Sequence, residues 1–460
     1  MLDQYRLFPP LLYCKFMSDS FHLRPSSSPV VENLSLSSKP VEHFYALIAY
    51  EDAYVQPLIT AALKSRLPES SYTLISGLAE LSSPSTPFLQ IGAYESLPFE
   101  HIMLHSDTSL TNAYIIRKAL IRKHYLSTTA YNWVTKNPSS ILKTNVKPAC
   151  EFELDYAEFL DDALVEAWEL QASFQSNGGK EAEDREWWIL KPGMSDRGQG
   201  IRLFSTEEEL QSIFEEWEAD APNSDDEGEE ESSASIKDKD DGGDYIVTSH
   251  LRHFIAQPYI HPPLLLKDNP RKFHIRTYVL AVGALKVYVY KDMLALFAST
   301  PYIPPWSTTE SSDLSAHLTN TCLQTGDHDG SIHSFFSLSA TSFPSNITQD
   351  GIFKQVCETT GEIFEAAAKG MMVHFQTLPN AFEVFGLDFL VDEKGTAWLL
   401  EVNAFPDFKQ TGEELSGVVA DLWEGVVEEA VMPFFGVERN EGRVKGDKMV
   451  LVKELDLGRR

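Results

Sequence analysis

The 460 residues are 43% hydrophobic and 11% aromatic, which excludes a disordered chain and is enough for two or three domains with sizeable cores. Thirty-eight Lys and Arg stand against 68 Asp and Glu, a net charge of −30. That excludes general nucleic-acid binding, because neutralising phosphates needs a basic surface.

Residues 1–42 are rich in Ser and Pro and read as a disordered tail. Their apolar start, LFPPLLYCKF, is broken by two prolines and preceded by Asp3, which makes a poor signal peptide. No apolar run reaches the roughly 18 residues of a membrane helix. Cys14, Cys150, Cys322 and Cys357 are scattered without metal-like spacing, so a reducing, cytoplasmic setting is expected. The sequons at Asn33 and Asn346 are then chance matches. Order is expected to begin at the strand HFYALIAY (43–50), followed by a helix over Asp52–Arg66. TNAYIIRKALIRKHYL (111–126) predicts a second helix capped by Thr111 or Asn112. Its Arg117, Lys118, Arg122 and Lys123 form the densest basic cluster in the chain and, taken alone, read as a solvated helix face.

WWIL (187–190) predicts a buried strand leading into KPGMSDRGQG (191–200), with IRLF as the return strand and STEEEL opening a helix through a capping box. The loop carries Gly193, Gly198 and Gly200 but lacks the Gly-Lys-Ser/Thr ending of a Walker loop, and a strand follows it. It reads either as an ordinary hairpin or as a flap whose amides fold over phosphates, with Lys191 adding positive charge. Asp220–Asp244 holds eleven acidic residues against two lysines and reads as a disordered surface insertion.

Strands are next expected at HFIAQPYI (253–260), RKFHIRTYVLAV (271–282) and LKVYVY (285–290), with a helix near 350–375. In RKFHIR, alternation puts Lys272, His274 and Arg276 on one face and Phe273, Ile275 and Thr277 on the other. The cationic row suits an anionic ligand, or is simply the solvated face of a half-buried strand. His317 and Asn320 of HLTN read as loop-capping groups.

FEVFGLDFLVDEKGTAWLLEVNAFP (382–406) predicts a hairpin turning at Lys394-Gly395. With an even-length turn there, Asp388 faces Glu401, Gly386 faces Asn403, and the two acids and the amide share one face. Like charges directly opposite destabilise a sheet. Either a cation sits on this face, with the oxygen ligands Mg²⁺ takes, or one acid is protonated or paired with a lysine.

These segments occur in an order and spacing that resembles the tubulin–tyrosine ligase family. The matching pieces are RKA near 117–119, ILKPGMSDRGQGI (189–201), QPYI…PLLL (257–266), RKFHIRTYVL (271–280), HLTNTCLQ (317–324) and FGLDFLVD…WLLEVNAFP (385–406). The resemblance implies an α/β (α+β) ATP-grasp-like fold of three subdomains, with the nucleotide between two mainly antiparallel sheets. Its parts would be an N-terminal subdomain over 43–115, a central one over 116–258 carrying the acidic insertion 219–244, a C-terminal one over 259–440, and a charged tail over 441–460. By motif position, ATP would be held by Lys118, Lys191, Ser195, Gly198, Gly200, Gln257, Tyr259, Ile260, Lys272 and His274. Mg²⁺ would be held by Asp388, Glu401 and Asn403. Arg276, Lys272 and Asn320 would act on the acceptor carboxylate and the transferring phosphate.

The implied activity is ATP- and Mg²⁺-dependent ligation of a free amino acid, tyrosine first, to a protein carboxylate such as the α-tubulin C-terminus, through an acyl phosphate. A monomer without membrane or direct nucleic-acid partners is expected. Two departures stand out: His274 replaces the family's usual Asp, and Leu296 stands where an arginine is usual. The lost arginine favours an alternative in which the chain is a weakly active or inactive nucleotide-binding adaptor in cytoplasmic RNA granules, while the Asp388, Glu401 and Asn403 set and Lys191 favour the enzyme. Glutamate ligation is a second alternative within the same chemistry.

Overall fold

The computed structural model describes residues 41–193, 198–219, 252–307, 314–319, 331–408, 415–440 and 446–457. The N-terminal tail up to residue 40, the acidic insertion 220–244, Ser195 and Asn320 lie outside the described residues.

The first strand of the described residues stands where expected, at Phe44–Ala49 (β1), and pairs in parallel with Tyr72–Leu74 (β2) and Phe88–Gly92 (β3). Ser109–Thr111 (β4) completes a parallel sheet of order β2-β1-β3-β4. Val55–Arg66 (α1) follows β1, and Asp52 Oδ1 accepts the Tyr54 and Val55 amides at 2.7 and 3.2 Å, satisfying donors that the first turn leaves free. The basic helix differs from its expectation. Thr111 ends β4, and Asn112 exchanges two 3.0 Å hydrogen bonds with the Gly92 backbone, so neither residue caps a helix. The helix starts later and in two pieces, Lys118–Ile121 (α2) and Lys123–Lys136 (α3).

The second sheet is antiparallel throughout: Cys150–Glu153 (β5), Trp188–Pro192 (β6), Arg202–Phe204 (β7) and His253–Pro258 (β8), in the order β5-β8-β6-β7. Trp168–Asn177 (α4) and Glu207–Ala219 (α5) cover one face, where Leu170, Phe214 and Trp217 meet Trp188, Leu190 and Phe254. The capping box forms as expected: Thr206 Oγ1 accepts the Glu209 amide at 3.2 Å, while Glu209 Oε2 accepts the Thr206 amide at 3.3 Å. Strand alternation leaves Ile189, Lys191 and Gln257 on the opposite face.

Phe273–Val282 (β9) is the spine of the third, larger sheet. One edge pairs along its whole length with Phe382–Val391 (β13), which in turn pairs with Ala397–Ala404 (β14). The other edge is shared by Leu294–Phe297 (β11) near its start and Lys286–Tyr290 (β10) near its end. Ile332–Ser334 (β12) extends β11, and Met449–Glu454 (β15) extends β10. Every one of these pairings is antiparallel.

Gln349–Gly370 (α6), capped by Thr348, packs with α3 on the face that carries Phe273, Ile275, Val279 and Ala281. The opposite face, at Tyr278 and Leu280, is covered by α1 and Ser416–Val426 (α7). Two sequence assignments therefore change. Helices α2 and α3, placed in the central subdomain by residue number, pack on the third sheet. Met449–Glu454, placed in a charged tail, is a strand of that sheet. Cys150 and Cys357 are free thiols, and among the described residues no helix is long and apolar enough to cross a membrane.

Candidate functional site

The two antiparallel sheets face each other across a cleft of about 1060 Å³, part of it open to solvent. The cleft face of the β13–β14 hairpin carries the paired acids. Asp388 lies opposite Glu401 and Gly386 opposite Asn403, as expected, but the register is reached by another route. The turn is a five-residue loop, Asp392–Thr396, not an even one, with Asp392 Oδ1 accepting the Lys394 and Thr396 amides at 3.0 and 2.9 Å. Val391, Leu390 and Phe389 then pair with Ala397, Trp398 and Leu399, and a bulge opens before Asp388 pairs with Glu401, leaving Leu400 as the extra residue. Leu399 and Val402 both reach the core through that bulge, while Glu401 and Asn403 turn to the cleft.

Arg276 lies directly opposite Asp388 on β9 and grips it with two hydrogen bonds, Nε to Oδ1 at 2.5 Å and Nη2 to Oδ2 at 3.0 Å. Gly386 makes room for this: a Cβ there would stand 3.0 Å from Pro406 Cβ and 3.4 Å from Arg276 Cδ. Burial disfavours the Arg276 cation, but Asp388 outweighs it and lifts the guanidinium above the usual arginine range. Burial likewise works to raise the Glu401 carboxyl, yet Lys123 at 3.6 Å and the Asn403 amide at 3.0 Å hold it down at about 2. Burial lowers the His274 imidazole against the pull of Asp388.

Two lysines face these acids. Lys191 Nζ donates to Gln257 Oε1 at 2.9 Å, and Lys272 Nζ donates to Tyr259 Oη at 3.0 Å, which itself lies 2.9 Å from His317 Nδ1. Among the described residues no carboxylate oxygen lies within 4 Å of either ammonium. Burial pushes Lys191 down to about 8 against the attraction of Glu401. Burial, then the neighbouring Lys191, pushes Lys272 down to about 7. Two desolvated ammoniums with no carboxylate in direct contact are chemically suited to an anion.

The structure thus brings Lys191, Gly198, Gln257, Tyr259, Ile260, Lys272, His274, Asp388, Glu401 and Asn403 to one cleft. It leaves others out. Lys118 is exposed on α2 and does not line the cleft; Lys123, the first residue of α3, stands there instead. Arg117, its other neighbour in the basic cluster, is buried against Glu383 at 2.7 Å. Gly200 supplies a positive φ of 71° in the flap but is not part of the lining. Arg276 is not part of the lining; it holds Asp388 from the neighbouring strand. Sequence reasoning missed Lys147, whose Nζ sits 3.8 Å from the centre of the Trp398 ring, and the apolar walls Ile189, Ile201, Leu390 and Leu399. Lys123 had a signal in the basic cluster; Lys147, isolated in sequence, had none. Among the described residues no three His, Cys, Asp or Glu side chains are gathered into a ready-made metal cluster. The hairpin offers two carboxylates and an amide, a hard donor set of the kind Mg²⁺ takes.

Comparison with known proteins agrees with this geometry. The model of the tubulin–tyrosine ligase family matches residues 117–439. A probable tubulin–tyrosine ligase of Schizosaccharomyces pombe is 44% identical over 416 residues, which are 89% of this chain and 96% of that protein. The probable tubulin–tyrosine ligase PBY1 of Saccharomyces cerevisiae is 42% identical over 400 residues, 84% of this chain, and the chain spans 52% of that longer relative. Among solved structures, the C-terminal domain of K. lactis Pby1 matches with a TM-score of 0.66 and 35% identity, covering 90% of this chain and 99% of that one. That domain is described as an ATP-grasp enzyme interacting with the mRNA decapping enzyme Dcp2. With its paired antiparallel sheets and the cleft between them, the chain has the ATP-grasp fold and belongs to the tubulin–tyrosine ligase family.

Proposed function

We propose that the protein is an ATP- and Mg²⁺-dependent carboxylate–amine ligase that joins an amino acid, tyrosine first, to a protein carboxylate such as the C-terminus of α-tubulin. The observation that carries this reading is the meeting of Asp388, Glu401 and Asn403 with Lys191 and Lys272 in one cleft. ATP-grasp folds use ATP and a divalent metal in general. Here the donor chemistry fits both: Asn403 Nδ2 lies 3.0 Å from Glu401 and 3.5 Å from Asp388, where a cation would offset the same two charges. A flip of that amide presents its oxygen instead. A bound divalent cation would neutralise phosphate charge. Lys191, Lys272 and Lys123 would hold phosphates, with the flap glycine Gly198 above them. Gln257, Tyr259 and Ile260 would line the base between Ile189 and Leu390.

Arg276 would act through the metal-side carboxylate that it holds. Gripped by Asp388, it would orient that carboxylate. No buried nucleophile is required, since positioning and charge neutralisation carry phosphoryl transfer. The decisive assay incubates the protein with ATP, Mg²⁺, detyrosinated tubulin and labelled tyrosine or glutamate. Label on tubulin supports the ligase and identifies the amino acid.

One observation favours the adaptor reading. Leu296 is paired with His274 and sits 1% exposed in an apolar core, so β11 offers no cation to an acceptor. The solved Pby1 domain is described as interacting with a decapping enzyme. Intact Mg·ATP binding with no transfer to any acceptor would give this reading the lead.

A further inference from the structure

The chain between β5 and α4 buries a complete apolar stripe. Ala157, Leu160, Leu164, Ala167 and Leu170, at helix-like spacing, meet Trp188, Leu190 and Phe254 in the core of the second sheet. That stripe satisfies the core, yet the same stretch turns four further large apolar side chains outward. Tyr156 is 54% exposed, Phe159 48%, Val165 61% and Trp168 72%. The Tyr156 and Phe159 rings meet edge to face at 6.2 Å. Exposed apolar side chains scattered singly are ordinary. Four from one short stretch, with Trp and Tyr among them, have the composition of an interface, where such anchors carry most of the binding energy.

Acids are interleaved with these side chains. Glu158, Asp161, Asp162, Glu166 and Glu169 are all exposed. Arg252 neutralises Asp155 at 2.8 Å, and among the described residues the five acids beyond it have no ion-pair partner. No Lys or Arg occurs between Lys147 and Lys180. Burial, then the neighbouring Asp161, raises the Glu207 carboxyl above its ordinary value, so the first turn of α5 adds to the same acidic crowd. A surface of this kind repels nucleic acid and anionic lipid. It attracts cations, and its aromatic rings accept Lys and Arg over their faces.

We infer that this surface, with Tyr156, Phe159, Val165 and Trp168 as anchors and Asp161 and Asp162 among its acids, docks a basic protein segment in which Lys or Arg alternates with aromatic or long aliphatic side chains. The surface belongs to the helical layer on the face of the second sheet away from the cleft, so docking leaves the cleft open. The partner's apolar side chains lie against Phe159 and Trp168 while its cations meet the acids between them.

The test uses the full chain and a fluorescein-labelled peptide that alternates lysine with tryptophan and leucine. Fluorescence anisotropy should show binding that weakens as salt is raised. Glutamate in place of the lysines, or serine in place of the tryptophan and leucine, should abolish it. Trp168→Ser and, separately, Asp161→Lys with Asp162→Lys should each weaken binding at least about tenfold, the scale of losing one interface anchor. Their circular dichroism spectra should match that of the unmodified chain, because all three side chains are exposed. Hydrogen exchange in residues 156–169 should slow when the peptide binds. No binding, or slowed exchange only elsewhere, overturns the proposal. Equal weakening by Glu95→Lys with Glu100→Lys, exposed acids beyond β3, reduces the effect to net charge and overturns it too. So does a dimer in sedimentation that Trp168→Ser dissociates, which assigns the face to a second copy. Faster exchange in residues 156–169 after deletion of residues 1–40 assigns it to the chain's own tail, with the same consequence.

Discussion

Lys191 and Lys272 set the pH behaviour of the cleft. Their folded-state values of about 8 and about 7 lie below the ordinary lysine value of 10.5. Between those limits the unfolded chain holds more protons than the folded one, so this pair makes stability rise with pH from about 7 towards 10.5. A bound polyanion favours the charged ammoniums, so nucleotide binding takes up protons and weakens as pH rises from 7 to 9. Calorimetry at pH 8 in buffers of different ionisation enthalpy should register that uptake, and a buffer-independent heat would remove the lysines from phosphate binding. Glu401 behaves in the opposite sense. Its carboxyl, held at about 2, is ionised throughout this range, and its stabilising pairs are lost only as pH falls from its ordinary value through 2. Glu401→Gln should weaken Mg·ATP binding at least about tenfold with an unchanged circular dichroism spectrum. Equal affinity for the variant would end its assignment as a metal residue. Asp388, Glu401 and Asn403 were legible because a period of two reports sidedness directly. Lys123 was not, because a cluster of four cations does not say which one a fold turns inward.

The β13–β14 hairpin shows where element-level reading succeeds and where it stops. Its strands, its turn region and its charged face all follow from alternation and from Lys394-Gly395. The bulge at Leu400 does not, because a five-residue loop plus one inserted residue and an even-length turn give the same partners for Asp388 and Gly386. Gly386 is a packing requirement of this element. Gly386→Ala should destabilise the protein by about 1–3 kcal/mol in urea unfolding, since its Cβ meets the Pro406 ring and the Arg276 stem. It should also weaken Mg·ATP binding by displacing Arg276 from Asp388, and wild-type stability and affinity together would show that the crowding relaxes freely. The capping box before α5 was legible because both of its hydrogen bonds are local. The start of α3 was not, because the true caps of neighbouring elements, such as Asn112 on Gly92, are tertiary contacts.

At the scale of the molecule, the third sheet is completed by a segment some 160 residues beyond its partner. β15 lies along β10, with Gly361 of α6 against the Val452 carbonyl on one side and Gly425 of α7 against Met449 on the other. Ending the chain at Asn440 should therefore lower stability by at least about 3 kcal/mol, the loss of several half-buried apolar side chains and of an edge pairing. A urea midpoint equal to that of the full chain would show that β15 contributes nothing to the fold. By itself the sequence determined the ordered set of strands, the cationic row on β9, the acidic face of the hairpin and the family resemblance. All of these rest on local periodicity and linear order. Only the tertiary structure decided that Arg276 serves Asp388, that Lys123 and not Lys118 enters the cleft, that α3 belongs to the third sheet and that the C-terminal segment is a strand. Each of those outcomes depends on which buried surfaces and charges meet across long sequence separations, and spacing along the chain carries no record of that.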